Sequence, residues 1–285
     1  MSPKKFNSNL LLLTLLINFN FLFLIISAKQ EIRKDLSDET KLNHLKIKNR
    51  FFRGAVGDNT FINGKLTEEA FKLYDQLSKN EVVNIFTGLT IVSDYYQLPG
   101  FYPFRLDKDE YIPEFKKLVD LVHKNGANFF MQLAHVGMNV MIKPETVYAP
   151  SSLPIPNQNR NSKEMTKEDI LRIENDFAEA ALRAKKAGFD GVEIHGAHFY
   201  LVSEFLSPLY NKRTDEYGGS DENRARFLVE IIEKMREKVG KEYIIGVKIN
   251  SEDADPNGIT EEGFIKTCQL AEAAGADYIQ ISGVK

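Results

Sequence analysis

The 285 residues contain one cysteine, Cys268, and no tryptophan. A single thiol excludes an intrachain disulfide framework and any metal cluster built from this chain's cysteines. Cys268 falls in a helical pattern, where packing accounts for it. Neither sign of charge dominates: 37 Lys and Arg against 40 Asp and Glu leave a net charge of −3. With no basic stripe interleaved with aromatics, nucleic acid is excluded as the main partner. The dinucleotide fingerprint G-x-G-x-x-G is also missing after the first apolar run, where residues 57–64 read GDNTFING. Histidine is scarce, with five in all, so two of them three residues apart need an explanation.

What is present begins with a distinct segment. Lys4 and Lys5 precede an uncharged apolar run, residues 10–28. This reads as a signal peptide or a membrane anchor. The length fits an anchor, whereas the position and basic start fit a signal. Ile26 is a poor match to the small-residue rule for cleavage after Ala28. A misassigned start, or a cytoplasmic extension, is the alternative. The chain is therefore expected to be membrane-anchored or secreted if the segment is genuine, and cytoplasmic otherwise. Residues 1–30 are set apart from the fold, and residues 31–285 are taken as one domain.

From residue 50 onward, apolar runs of strand length alternate with helical patterns. Strands are predicted at 51–57, 82–89, 128–136, 190–196, 243–250 and 278–283. They are almost continuously hydrophobic, as strands covered on both faces are. Thr67, Thr166, Ser220 and Thr260 each precede a helical pattern with acidic first-turn residues, matching N-caps. Pro113 opens a further helix over 113–126. Gly188, Gly240 and Gly275 stand where left-handed C-caps are expected.

Six βα units in a row imply an α/β fold with a parallel sheet, either a (β/α)8 barrel or an open doubly wound sheet. The missing fingerprint argues against the second. Polar residues gather at several strand ends: Gln132 with His135, His195 with His198, Lys248 with Asn250. Chemistry shared among strand ends on one rim points to the barrel. Only about six of eight βα units are present, so the barrel is expected to be incomplete at its C-terminus.

The segments LKIKNRFFRGAV, MQLAHVG, GFDGVEIHGAHFYLVSEFLSPLYNKRTDEYGGSDENRARF and VKINSED resemble the old yellow enzyme family of NAD(P)H:flavin oxidoreductases. The resemblance runs from about Leu42 to the C-terminus. It implies a TIM barrel that binds FMN non-covalently, takes reducing equivalents from NADH or NADPH, and reduces an activated C=C bond of a small electrophilic acceptor. It also implies that the backbone at Gly54, Ala55, Val56, Gly88 and Leu89 contacts the flavin. Gln132 would meet the pyrimidine edge and Lys248 the N1 and C2=O side. His195 and His198 would bind the substrate carbonyl, and Tyr200 would supply a proton. Arg224, in ENRARF, is read as structural, as is His135. Gly57 stands where some members carry a cysteine, so no redox-tuning thiol is expected there. The family's phosphate loops follow strands beyond this chain's end. A relative with an added iron–sulfur cluster, whose cysteines would lie further on, and a non-catalytic barrel fragment are the rival readings.

The residue types suit this chemistry. Two fixed N–H donors stabilise negative charge growing on a carbonyl oxygen. A phenol near pKa 10 keeps its proton at neutral pH and can deliver it. A lysine inside an apolar strand is costly unless its ammonium meets an anion; the alternatives are the cofactor or a carboxylate such as Glu193. Gln132 could equally bridge neighbouring strands, and the histidines could be a satisfied buried pair. No further His or Asp cluster completes a metal ligand set, so no metal is expected.

Overall fold

The computed structural model describes residues 35–62, 65–80, 83–93, 103–139 and 146–283. The apolar run at 10–28 lies outside the described residues. The chain divides into two compact units, Met1–Asp38 and Glu39–Lys285, and the second holds every element discussed below. Among the described residues no helix is long and apolar enough to cross a membrane.

The second unit is an α/β structure built on one parallel sheet. Its main strands are β1 (Asn84–Ile91), β2 (Asn128–Ala134), β3 (Gly191–Gly196), β4 (Ile244–Asn250) and β5 (Tyr278–Ser282), each beside the next in that order. A two-residue strand, Phe104–Arg105, adds to the far edge beside the end of β1. The helices are α1 (Glu68–Lys79), α2 (Ile112–Lys124), α3 (Lys167–Ala187), the short α4 (Leu201–Leu206), α5 (Asp221–Val239) and α6 (Glu261–Ala274). Consecutive parallel neighbours with helical crossovers are the wall of a (β/α) barrel.

One predicted strand is much reduced. Residues 51–57 form only a single parallel bridge, Arg53 to Ile85. Two backbone hydrogen bonds hold it, Arg53 N to Asn84 O at 2.9 Å and Phe86 N to Arg53 O at 3.0 Å. From Gly54 onward the segment makes no further bridge to the sheet.

The predicted caps account for most helix boundaries. Thr166 accepts from Asp169 N at 3.2 Å while Asp169 accepts from Thr166 N at 3.1 Å, a reciprocal capping box. Thr67, Ser220 and Thr260 cap their helices in the same way through one bond each. Gly188 and Gly275 are left-handed, with φ of 97° and 108°. Gly240 differs: its φ of 80° is joined to an extended ψ of 178°, so α5 runs straight out toward β4 instead of closing a left-handed cap.

Strand alternation sorts the side chains into two environments. Val192 and Ile194 of β3, with Ile245 and Val247 of β4, face the helices. There they meet Ile170, Ile173 and Phe177 of α3 and Phe227, Ile231 and Met235 of α5, all fully buried or nearly so. Each such side chain contributes roughly 1.5–3 kcal/mol by leaving water. The other face looks into the barrel. Its lower storey is apolar, with Phe86, Phe130 and Ile244 packed on Tyr278. Above that storey most of the side chains from β3, β4 and β5 are polar.

Candidate active site

Register builds the polar face in rows. Across the sheet, Leu89, Gln132, Glu193, Gly246 and Tyr278 align in one row. One pleat higher, His195, Lys248 and Gln280 align. At the rim, Asn250 aligns with Ser282. Gly246 is glycine for a steric reason: a Cβ there would lie 1.9 Å from the Tyr278 ring. Its absence lets that ring cross the barrel beneath Lys248.

The loop after β3 brings the imidazoles and the phenol together. His198 and Phe199 both take positive φ, 58° and 59°, which is costly for L side chains, most of all for bulky phenylalanine. Three anchors hold the turn: His198 N donates to Asn250 Oδ1 at 3.2 Å, Leu201 N to His135 O at 3.0 Å, and Glu204 N to Tyr200 O at 2.8 Å. The reversed backbone folds Tyr200 back over β3. The His195 and His198 ring centroids are 5.1 Å apart and edge-on, and those of His195 and Tyr200 are 4.7 Å apart. Thus the structure assembles the three side chains expected to do the chemistry.

Their charge states follow from burial. Desolvation, then the fields of His198 and Lys248, drives the His195 pKa well below its ordinary value. Burial and Lys248 lower that of His198 as well. Both rings are therefore neutral near pH 7, each with one N–H to offer. His198 Nε2 shares a hydrogen bond with Ser282 Oγ at 2.8 Å. His195 Nδ1 is buried and has no hydrogen-bond partner among the described residues. Burial raises the Tyr200 phenol, so it stays protonated.

The expected cofactor residues lie on the same face. Lys248 forms no ion pair among the described residues; Glu193 only feels its field. Gln132 is buried and donates through Nε2 to Glu193 Oε1 at 2.8 Å, so it does bridge neighbouring strands. No protein donor among the described residues reaches its Oε1. Gly88 and the 54–56 segment are tied together from behind. Asp58 accepts from Gly88 N at 3.2 Å and from Tyr74 Oη, and it pairs with Arg53 at 3.0 Å. A Cβ on Gly88 would lie 2.6 Å from Val56 O. Gly54 approaches the opposite wall, where a Cβ would sit 3.6 Å from the Gln280 amide. Ala55 packs against the lower apolar storey, Val56 is exposed, and Leu89 is buried. An orphaned buried imidazole nitrogen, an unpaired ammonium and an unopposed amide oxygen on one concave face fit a large polar heterocycle. Among the described residues, no three His, Cys, Asp or Glu side chains cluster as a metal site would require.

Comparison with known proteins is consistent with this geometry. Residues 39–285 match the NADH:flavin oxidoreductase / NADH oxidase family. The chain belongs to that family. It is 44% identical over 174 residues to an NADPH dehydrogenase of Geobacillus sp. (strain WCH70), covering 61% of this chain and 50% of that one. It is 34% identical over 257 residues to an NADH oxidase of Thermoanaerobacter brockii, covering 87% of this chain and 39% of that one. The chain thus spans half or less of these curated relatives. Among solved structures, a 2-naphthoyl-CoA reductase complex aligns with a TM-score of 0.80 at 28% identity, covering 87% of this chain and 40% of that chain. Morphinone reductase in complex with tetrahydroNAD aligns at 0.77 and 25%, covering 87% and 74%.

Several residues of this flavin oxidoreductase family site were not assigned to it from sequence. Asp58 gave no signal in a GDN loop. Asn250 and Ser282 each end a strand, and only register shows that they hold the His198 turn. Glu193 carried a signal: it lies two residues before His195, so alternation puts both on one face. Arg224 is structural, as read, donating to Leu206 O at 3.1 Å and Gly219 O at 2.7 Å. His135 lies at the end of β2, where burial and the Arg172 charge lower its pKa to about 3.

Proposed function

We propose that residues 31–285 form the FMN-binding part of an NAD(P)H oxidoreductase that reduces activated C=C bonds of small electrophilic acceptors. FMN, when bound, supplies the relay of hydride from NADH or NADPH to the acceptor. Gln132, Lys248, Leu89, Gly88 and the Gly54–Val56 backbone would hold it. His195 and His198, both neutral, would each direct an N–H at the acceptor's carbonyl oxygen. Their neutrality matters: a neutral donor stabilises charge growing on that oxygen without giving up its proton. That role falls to Tyr200, whose phenol sits against His195 and retains its proton at working pH. The Lys248 ammonium, beside His195 in register, offsets negative charge on the barrel face. The single observation carrying this reading is the convergence of two imidazoles and a phenol beside Lys248, which forms no ion pair among the described residues.

The test is cofactor retention followed by turnover. The chain, purified and given excess FMN, should retain flavin and oxidise NAD(P)H with 2-cyclohexenone as acceptor. Replacing both His195 and His198 by Ala should lower enone turnover by roughly 10²-fold or more. Failure to hold any flavin would leave the non-catalytic fragment as the reading, and unchanged turnover in the double variant would remove the imidazoles from the mechanism. We further propose that residues 10–28 act as a leader or membrane tether, to be checked by fractionating cells that express the chain with and without them.

A further inference from the structure

Glu193 is a carboxylate with no exposure to solvent at all, set in the centre of the barrel face. Neighbours on both sides give it hydrogen-bond donors. Gln132 Nε2 lies 2.8 Å from Oε1. The amide orientation of Gln280 that satisfies both its atoms places its nitrogen 2.6 Å from Glu193 Oε2 and 3.2 Å from Oε1. The Tyr278 hydroxyl is 3.5 Å from Oε2. Once ionised, a carboxylate only accepts, so in that form it dictates which end of each amide faces it.

This has a consequence for Gln132. An amide offers an acceptor at one end and a donor at the other, and the two are interchangeable by a half-turn. Glu193 removes that freedom. The main chain of Gln132 is fixed as well, its N–H donating to Thr87 Oγ1 at 3.2 Å. With Nε2 directed at Glu193, Oε1 is left as the open acceptor. The pyrimidine edge of a flavin carries one donor, N3–H, between two carbonyl acceptors, so an amide oxygen is the complementary group for N3–H.

We propose that Glu193 is a positioning residue: by holding Gln132 Nε2 it presents Gln132 Oε1 to the N3–H of a bound flavin. The inference rests on the FMN-binding reading above. Glu193 touches neither cofactor nor substrate in this role and acts through Gln132.

The experiment is flavin binding by fluorescence quenching on the full chain at pH 8.5, where the Glu193 carboxyl is ionised, for wild type, E193Q, Q132A and Q132A/E193Q. The probes are FMN and 3-methyl-FMN, which has no N3–H to donate. E193Q retains shape but places an N–H where only acceptors stood, and should weaken FMN binding roughly tenfold or more. In the Q132A background the same change should cost less than about twofold, because the residue it acts through is gone. Wild type should prefer FMN over 3-methyl-FMN by roughly tenfold or more, and E193Q should lose most of that preference. Glu193→Asp, which keeps the charge but withdraws it by one methylene, serves as a second variant with the same expectations should E193Q not fold. Equal losses in both backgrounds, or a preference that survives the substitution, would overturn the proposal and leave the FMN reading standing. A wild-type chain that binds neither flavin overturns both.

Discussion

Substituting Glu193 by Gln should change how the stability of the fold depends on pH. Burial raises the Glu193 carboxyl from 4.5 to about 7, against the pull of the Gln132 amide, the Lys248 charge and the Tyr278 hydroxyl. The folded chain therefore holds this proton over a range in which the unfolded chain has lost it. The resulting stabilisation is complete below pH 4.5, declines as pH rises through the folded value near 7, and is gone above it. A displacement of 7 minus 4.5 corresponds to about 3 kcal/mol at 1.36 kcal/mol per pH unit. Other buried groups titrate too. Glu174, raised to about 8, adds a slope of the same sign, and His135, lowered to about 3, adds the opposite slope between pH 3 and 6.5. Both are shared by wild type and E193Q, so they cancel in the difference. The assay is urea unfolding of both proteins, without added flavin, at intervals from pH 4.5 to 8.5. The stability of wild type relative to E193Q should fall by about 3 kcal/mol across that range and then level off. Parallel pH profiles would show that the carboxyl is ionised throughout in the folded state, and the account of its burial would be wrong.

Three further outcomes follow from named contacts. Gly246→Ala places a methyl inside the Tyr278 ring and should destabilise the fold by about 1–3 kcal/mol or more, with partial recovery in G246A/Y278L, read as denaturant midpoints. Gly88→Ala drives Cβ against Val56 O and the Asp58 backbone, so FMN affinity should fall together with stability; a change in stability alone would separate this strand end from the cofactor. Thr166→Ala removes one half of the capping box and should cost about 1 kcal/mol in unfolding free energy without altering flavin uptake.

How much of this was legible in the sequence depended on the range of the interaction. Helix starts at Thr67, Thr166, Ser220 and Thr260 were readable because a cap and its partner are three residues apart. Main strands were readable to within two residues at either end, since continuous apolar runs survive any register. The 51–57 segment was not, because its links to β1 after the single Arg53 bridge are made largely by side chains, Asn84 to Phe51 O, Arg53 to Phe86 O and Asp58 to Gly88 N, across 30 or more residues of sequence. The Gly240 cap failed for a related reason: glycine permits a left-handed ending but does not require it, and the approach to β4 selected an extended ψ.

The site divides along the same line. His195, His198 and Tyr200 lie within six consecutive positions, so their grouping was local and visible. What keeps them grouped was not local: Asn250 and Ser282 reach the His198 turn from strands 52 and 84 residues further on. Rows of the barrel face are set by register, which pairs Glu193 with Gln132 across 61 residues. Sequence does fix the parity within each strand. Parity along β3 puts Glu193 on the interior with His195, where it was weighed as a partner for Lys248; only register shows that Gln132 flanks it. A charge that the fold could have replaced with an apolar side chain at lower desolvation cost is better explained by what its neighbours must present than by stability. That is why the amide of Gln132, and not the carboxylate itself, is where the effect of Glu193 should be measured.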